Sequence, residues 1–182
     1  MSLVELIAQA DERVLAASGL GCLDRCVPLL GADDDVLRPL WASLADDGAA
    51  WAERLADARR TLAGATADGE AAELVRRMLG AAPDRAAAEE WRGWADACSV
   101  AALQVHRMLD TVEDGASGVA ARREGRTDRM SPLVAAELRR QTRVLELLAS
   151  GGAGGLRRAL DVSTEGRRVL RAVVSRRARG RG

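Results

Sequence analysis

Four side chains in this sequence could together hold a soft metal: Cys22, Cys26, Cys98 and His106, the complement of a Cys₃His zinc site. Their spacing argues against it. Cys22 and Cys26 lie on a stretch that reads as helix, not on the tight knuckle that zinc sites use. Cys98 and His106 are eight residues apart, which rotates them by about 80° around a helix. The thiols read as buried and inert, and no metal or other cofactor is expected. An odd number of Cys also makes no disulfide framework and fits a reducing compartment.

Catalytic readings fare no better. His106 is the only His, and a carboxylate-bridged di-iron bundle needs Glu-x-x-His on two helices. The residue three before His106 is Leu103. No Gly-x-Ser-x-Gly elbow marks a nucleophilic serine. Asp33 to Asp35, Asp46 and Asp47 lack the Asp-Asp-x-x-Asp spacing of helical enzymes that handle diphosphates. Acidic residues at helix starts cap free N–H groups and complement the dipole, and that accounts for them. No catalytic residue is assigned, and an enzyme is not expected.

The basic residues are distributed unevenly. All 27 are Arg, which a GC-rich gene explains without invoking phosphate recognition. Residues 1–114 carry 11 Arg against 21 acidic residues, and residues 115–182 carry 16 against 6, so a net charge of −10 faces one of +10. The two parts should attract each other within the chain or across a subunit contact. The rival is an external polyanion bound through Arg122, Arg123, Arg126, Arg129, Arg139, Arg140 and Arg143 and the arginines of the C-terminal tip. Every Trp lies before residue 95, so that surface has no stacking platform for bases.

Trp91 and Trp94, one helical turn apart, are the aromatic candidates. They could anchor a protein partner or stack on a planar ligand. They could equally fill the wide end of a core with Trp41 and Trp51. They belong to the longest periodic stretch, Pro83 to Glu113, where Trp91, Trp94, Cys98, Ala101, Val105, Met108 and Val112 repeat with alternating gaps of 3 and 4. That spacing predicts one long helix. Val100 and Leu103 lie off this seam, so the helix should be buried on a second face, by its own bundle or by another subunit. Gly93 interrupts the pattern, either for a close backbone approach or on a solvent face.

Other helices can be placed around that spine. Ser2 and Glu5 make a capping box for a first helix to about Ala17, stopped by Gly19 and Gly21. A short segment from Cys22 to Leu30 should break at Pro28. Helices are predicted after Asp33–Asp35, from Ala49 to Leu62, and around Leu74 to Leu79. Asp114 to Met130 reads as one long irregular segment, functional or mobile. Ser131 and Pro132 open a helix to about Ala149 whose apolar seam includes the polar Gln141. Gly151 to Gly155 read as a flexible hinge before a basic final helix with a disordered tip.

At 182 residues, 48% hydrophobic and 2% aromatic, the chain is long enough for one core built of Leu, Val and Ala. The predicted fold is all-α: a single-domain bundle of six to eight helices around the long central helix at about 83–113. Residues 1–150 form its core, and a Gly-hinged basic element, 151–182, docks on the same domain. No uncharged run approaches the ~20 residues of a membrane span, and no leader is visible, so a cytoplasmic location is expected. The expected function is a non-catalytic interaction module, adaptor or regulatory, with a protein partner and a possible homo-oligomer. The alternatives are a small-molecule regulator with a Trp-lined pocket, and a nucleic-acid or polyanion binder acting through the arginines.

Overall fold

Why the first predicted helix becomes two is visible at Asp11. Its carboxylate accepts the Val14 N–H at 2.9 Å and starts a new helix. Helix α1 (Leu3–Gln9) therefore ends at Ala10, whose backbone is extended. Its N-terminus has the anticipated capping box, Ser2 with Glu5. Helix α2 (Glu12–Cys26) then runs straight through Gly19 and Gly21. These glycines do not terminate anything. A Cβ on Gly19 would lie 2.6 Å from the Trp94 ring, and one on Gly21 would lie 3.1 Å from Arg25 and Ser163. They are small because neighbouring helices press against them, and that proximity outweighs their poor helix propensity.

The computed structural model describes residues 1–181; Gly182, the last residue of the predicted tail, lies outside them. Among the described residues the fold is all-α, with nine helices and no strand. After α2 come a 3₁₀ turn at Val27–Leu30, where Pro28 excludes further α-helix, and α3 (Arg38–Ala45). Next are α4 (Trp51–Ala63) and α5 (Glu70–Gly80). Helix α6 (Ala88–Leu109) is the predicted spine, shorter at both ends. Pro83 lies in the preceding loop. At the other end Asp110 is extended and its carboxylate accepts the N–H groups of Val112 and Leu133. That side chain starts the next long helix, and the competition ends α6 before Val112, which stands exposed.

The segment 114–130 is not wholly irregular. It contains the short α7 (Val119–Arg123) and folds around Arg122, which reaches Asp114 at 3.2 Å and the carbonyls of Arg126 and Asp128. Helix α8 (Pro132–Ser150) turns at once into α9 (Gly152–Arg179). The glycines there make a tight corner: a Cβ on Gly155 would lie 2.4 Å from the Leu147 carbonyl oxygen. Helix α9 continues through Arg179, so the basic segment before Gly180 is ordered helix.

Helix α2, more than α6, is the hub of the packing. Twelve of its 15 residues are buried, and α6, α8 and α9 all lie against it. Its Leu15, Leu20 and Leu23 are among the fully enclosed side chains, each contributing about 1.5–3 kcal/mol. The off-seam face of α6 is covered within the chain. Leu103 packs with Val119 of α7 and Val134 of α8. No described helix is long and apolar enough to cross a membrane.

Candidate functional site

The centre of the bundle holds a polar cluster that the apolar pattern does not announce. Arg25 rises from the last turn of α2 and Glu137 from the core face of α8. Their side chains meet in a bidentate pair, Nε to Oε2 and Nη2 to Oε1, both at 2.8 Å. Arg25 is 1% exposed and Glu137 not at all. From α9, the Ser163 hydroxyl accepts from Arg25 Nη1 at 3.1 Å. Gly166, one turn later, leaves room for the arginine stems, since a Cβ there would lie 2.5 Å from Arg25 Cδ.

His106 completes the cluster from α6. Its Nδ1 is 2.7 Å from the Ala102 carbonyl oxygen, which can only accept, so Nδ1 carries the proton. The Nε2 lone pair then faces Glu137 Oε2 at 3.6 Å. On the other side Gln141 donates to Glu137 Oε1 at 2.9 Å and accepts from Ser99 Oγ at 2.6 Å. Ser99 Oγ in turn accepts from Arg123 Nε at 3.0 Å, and Arg123 pairs with Asp96. Five helices, α2, α6, α7, α8 and α9, thus share one hydrogen-bonded system.

Burial pushes the Glu137 carboxyl towards neutrality, but Arg25 and then His106 overcome it and hold the pKa below the ordinary value. Desolvation also works against a charged Arg25, and Glu137 overrides it, so the guanidinium is held more firmly than usual. His106 is displaced downward, chiefly by burial, with Arg25 and Arg140 adding to the effect against the pull of Glu137. Burial raises the Cys22 thiol to about 12, and Cys26 and Cys98 also lie well above the ordinary thiol value.

Neither the Ser163 hydroxyl nor the Cys22 thiol has a free base hydrogen-bonded to it among the described residues. A nucleophile needs a base within reach, yet Ser163 faces a guanidinium donor and Cys22 a guanidinium and a carboxylate already paired. The three thiols are free and buried. Among the described residues no three His, Cys, Asp or Glu side chains converge to hold a metal.

The structure separates the residues singled out in the sequence into two sets. Trp91 and Trp94 are enclosed and pack edge-to-face with Trp51 at ring-centroid distances of 5.5 to 6.2 Å. Trp94 donates its indole N–H to the Met78 carbonyl and Trp51 to that of Pro83. Arg122 and Arg123 are buried in the pairs described above. Arg126, Arg129, Arg139 and Arg143 are exposed, and Arg143 alone of these four has a carboxylate nearby, Glu146 at 3.7 Å. Gly93 is also exposed, with open space beside it.

Other arginines of the C-terminal part tie it to the acidic part. Arg167 meets Asp24 at 2.6 Å, and Arg171 meets Asp34 at 2.5 Å. Asp34 thus serves as an anchor for α9 and caps no helix. Edges of Trp51 and Trp91 line a cleft of about 390 Å³ beside Arg13, Asp46 and Asp84. Arg25 and Glu137 escaped the reading of the sequence. Their signal was positional: Glu137 falls three after Val134 and four before Gln141, on the seam of α8. Compared with protein-family models, with curated proteins and with solved structures, the chain matches none.

Proposed function

We propose that this chain is a non-catalytic helical interaction module of the cytoplasm that meets an acidic partner protein through Arg126, Arg129, Arg139 and Arg143. The observation that carries the reading is the contrast among its arginines. Arg25, Arg122, Arg123 and Arg167 are enclosed in ion pairs, whereas Arg126, Arg129 and Arg139 are exposed with no ion-pair partner among the described residues. Arg126 and Arg129 alternate with the exposed Glu124 and Asp128, yet none of the three arginines is held in a pair among the described residues. Their charges supply long-range attraction for an oppositely charged partner.

A protein partner is favoured over nucleic acid because Trp51, Trp91 and Trp94 are packed on one another in the core. A partner that seeks aliphatic contacts alone would find little, since the large exposed hydrophobics are the scattered Met1, Val4, Val112 and Val169. The test is a charge-reversed variant, Arg126→Glu, Arg129→Glu and Arg139→Glu, compared with the native chain by quantitative crosslinking in cell extract. The same crosslinked species should vanish in the variant and weaken with salt while the melting midpoint holds. Equal crosslinking of both chains would reject the proposal.

A second reading, a small-molecule regulator, is favoured by the cleft edged by Trp51 and Trp91. A metabolite that shifts the Trp emission of the native chain but not of Asp46→Arg would establish it.

A further inference from the structure

At the centre of the bundle one carboxylate, Glu137, lies between an arginine that is permanently charged and a histidine that is not. Arg25 Nε occupies Oε2 at 2.8 Å, the same oxygen that the His106 Nε2 faces at 3.6 Å. With His106 neutral, the enclosed group of Arg25, Glu137 and His106 carries no net charge. With His106 protonated, two cations compete for one carboxylate where each side chain is 2% exposed or less. We propose that His106 is an acid-sensing key: its protonation breaks the Arg25–Glu137–Ser163 connection and releases α8 and α9 from α2.

The groups facing His106 fix the direction of the effect. Glu137 on α8 attracts the added proton, whereas Arg25 on α2 and Arg140, also on α8, oppose it. The hydrogen bond from Nδ1 to Ala102 survives protonation, so the change falls entirely on the Nε2 side. There a new N⁺–H would claim Oε2 and leave Arg25 Nε without its acceptor. Arg25 would keep Oε1 through Nη2, so the enclosed group is left with one excess positive charge, which is unfavourable where each side chain is 2% exposed or less. Such a cost is relieved by opening, and the helices that Arg25 joins to α2 are α8, through Glu137, and α9, through Ser163.

The sign follows from linkage. A histidine whose proton affinity is lower folded than unfolded leaves the unfolded chain binding more protons. Stability is therefore full above the ordinary histidine value near 6.5 and falls as pH drops from there towards the folded one. One proton sets a ceiling of about tenfold per pH unit on the opening constant.

Because His106 is the only histidine, its imidazole C–H resonances in the intact chain can be followed without substitution. The expected result is that they titrate below the ordinary histidine value near 6.5. With this comes a rise of up to about tenfold per pH unit in the opening constant of α8 and α9, read as amide exchange divided by its base-catalysed intrinsic rate, before α4 and α5 respond. His106→Gln should flatten that rise between pH 7 and 5 if it folds, and the resonance titration decides the matter if it does not. Titration near pH 6.5 with an unchanged opening constant would overturn the proposal. So would an equal rise in that constant across all the helices.

Discussion

Gly19 of α2 and Trp94 of α6 define how closely the two best-packed helices approach: the indole ring lies where a Cβ on Gly19 would stand, 2.6 Å from its carbons. A ring cannot shift by the required ångström without disturbing the edge-to-face packing of Trp51 and Trp91 and the bond to the Met78 carbonyl. Gly19→Ala should therefore destabilise the chain by about 1–3 kcal/mol despite the better helix propensity of alanine. Gly93, on the same helix as Trp94, has nothing within 4 Å of its Cβ position. Gly93→Ala should stabilise by up to about 1 kcal/mol. Chemical denaturation followed by Trp fluorescence checks both, and equal signs would refute the packing described.

The periodic elements were legible in the sequence because burial and spacing coincide there. The spine, the capping box at Ser2 and the start of α8 at Ser131–Pro132 all follow from local rules. What failed to read was where two elements compete or touch. Gly19 and Gly21 look like stop signals until a second helix is placed against them. Asp11 and Asp110 look like ordinary surface residues until each captures a backbone N–H and ends one helix to begin another. Arg25 and Glu137 are 112 residues apart, and nothing in either neighbourhood announces the other.

That pair leads to a second prediction. Removing one member leaves a buried charge alone, so Glu137→Met and Arg25→Met should each cost about 3–5 kcal/mol. Replacing both removes the charge pair together, so the double variant should lose much less than the two single losses combined. Urea midpoints at pH 7.5 measure the cycle. Additive losses would mean that the pair is not coupled as its geometry requires.

The thiols give a third. Burial holds Cys22 at about 12 and raises Cys26 and Cys98 as well, so almost no thiolate exists at neutral pH. Iodoacetamide at pH 7.5 should leave all three unmodified in the native chain and modify all three in urea. Mass spectrometry of the intact protein distinguishes the two states. Rapid native labelling of Cys22 would show that the core is not closed around it.

A last prediction concerns two buried carboxylates that move in opposite directions beside arginines. Both oxygens of Glu137 are engaged, by Arg25 and Gln141, and its pKa lies below the ordinary value despite burial. Asp24 has one oxygen on Arg167, but its Oδ2 has no hydrogen-bond partner among the described residues, and burial raises its carboxyl in spite of Arg167. The stabilising contribution of Glu137 is thus present above the ordinary carboxylate range and lost as pH falls through its folded value. That of Asp24 has the opposite sign: it is full below the ordinary Asp value and lost as pH rises through the raised one. Asp24→Asn should therefore reduce the pH dependence on the neutral side of the carboxylate range, whereas Glu137→Gln should weaken it on the acid side. Carbon-13 titration of the two carboxyl groups reads the same difference directly. Asp24 should titrate above the ordinary Asp value and Glu137 below the ordinary Glu value, and the reverse would contradict the hydrogen bonds that produce the difference.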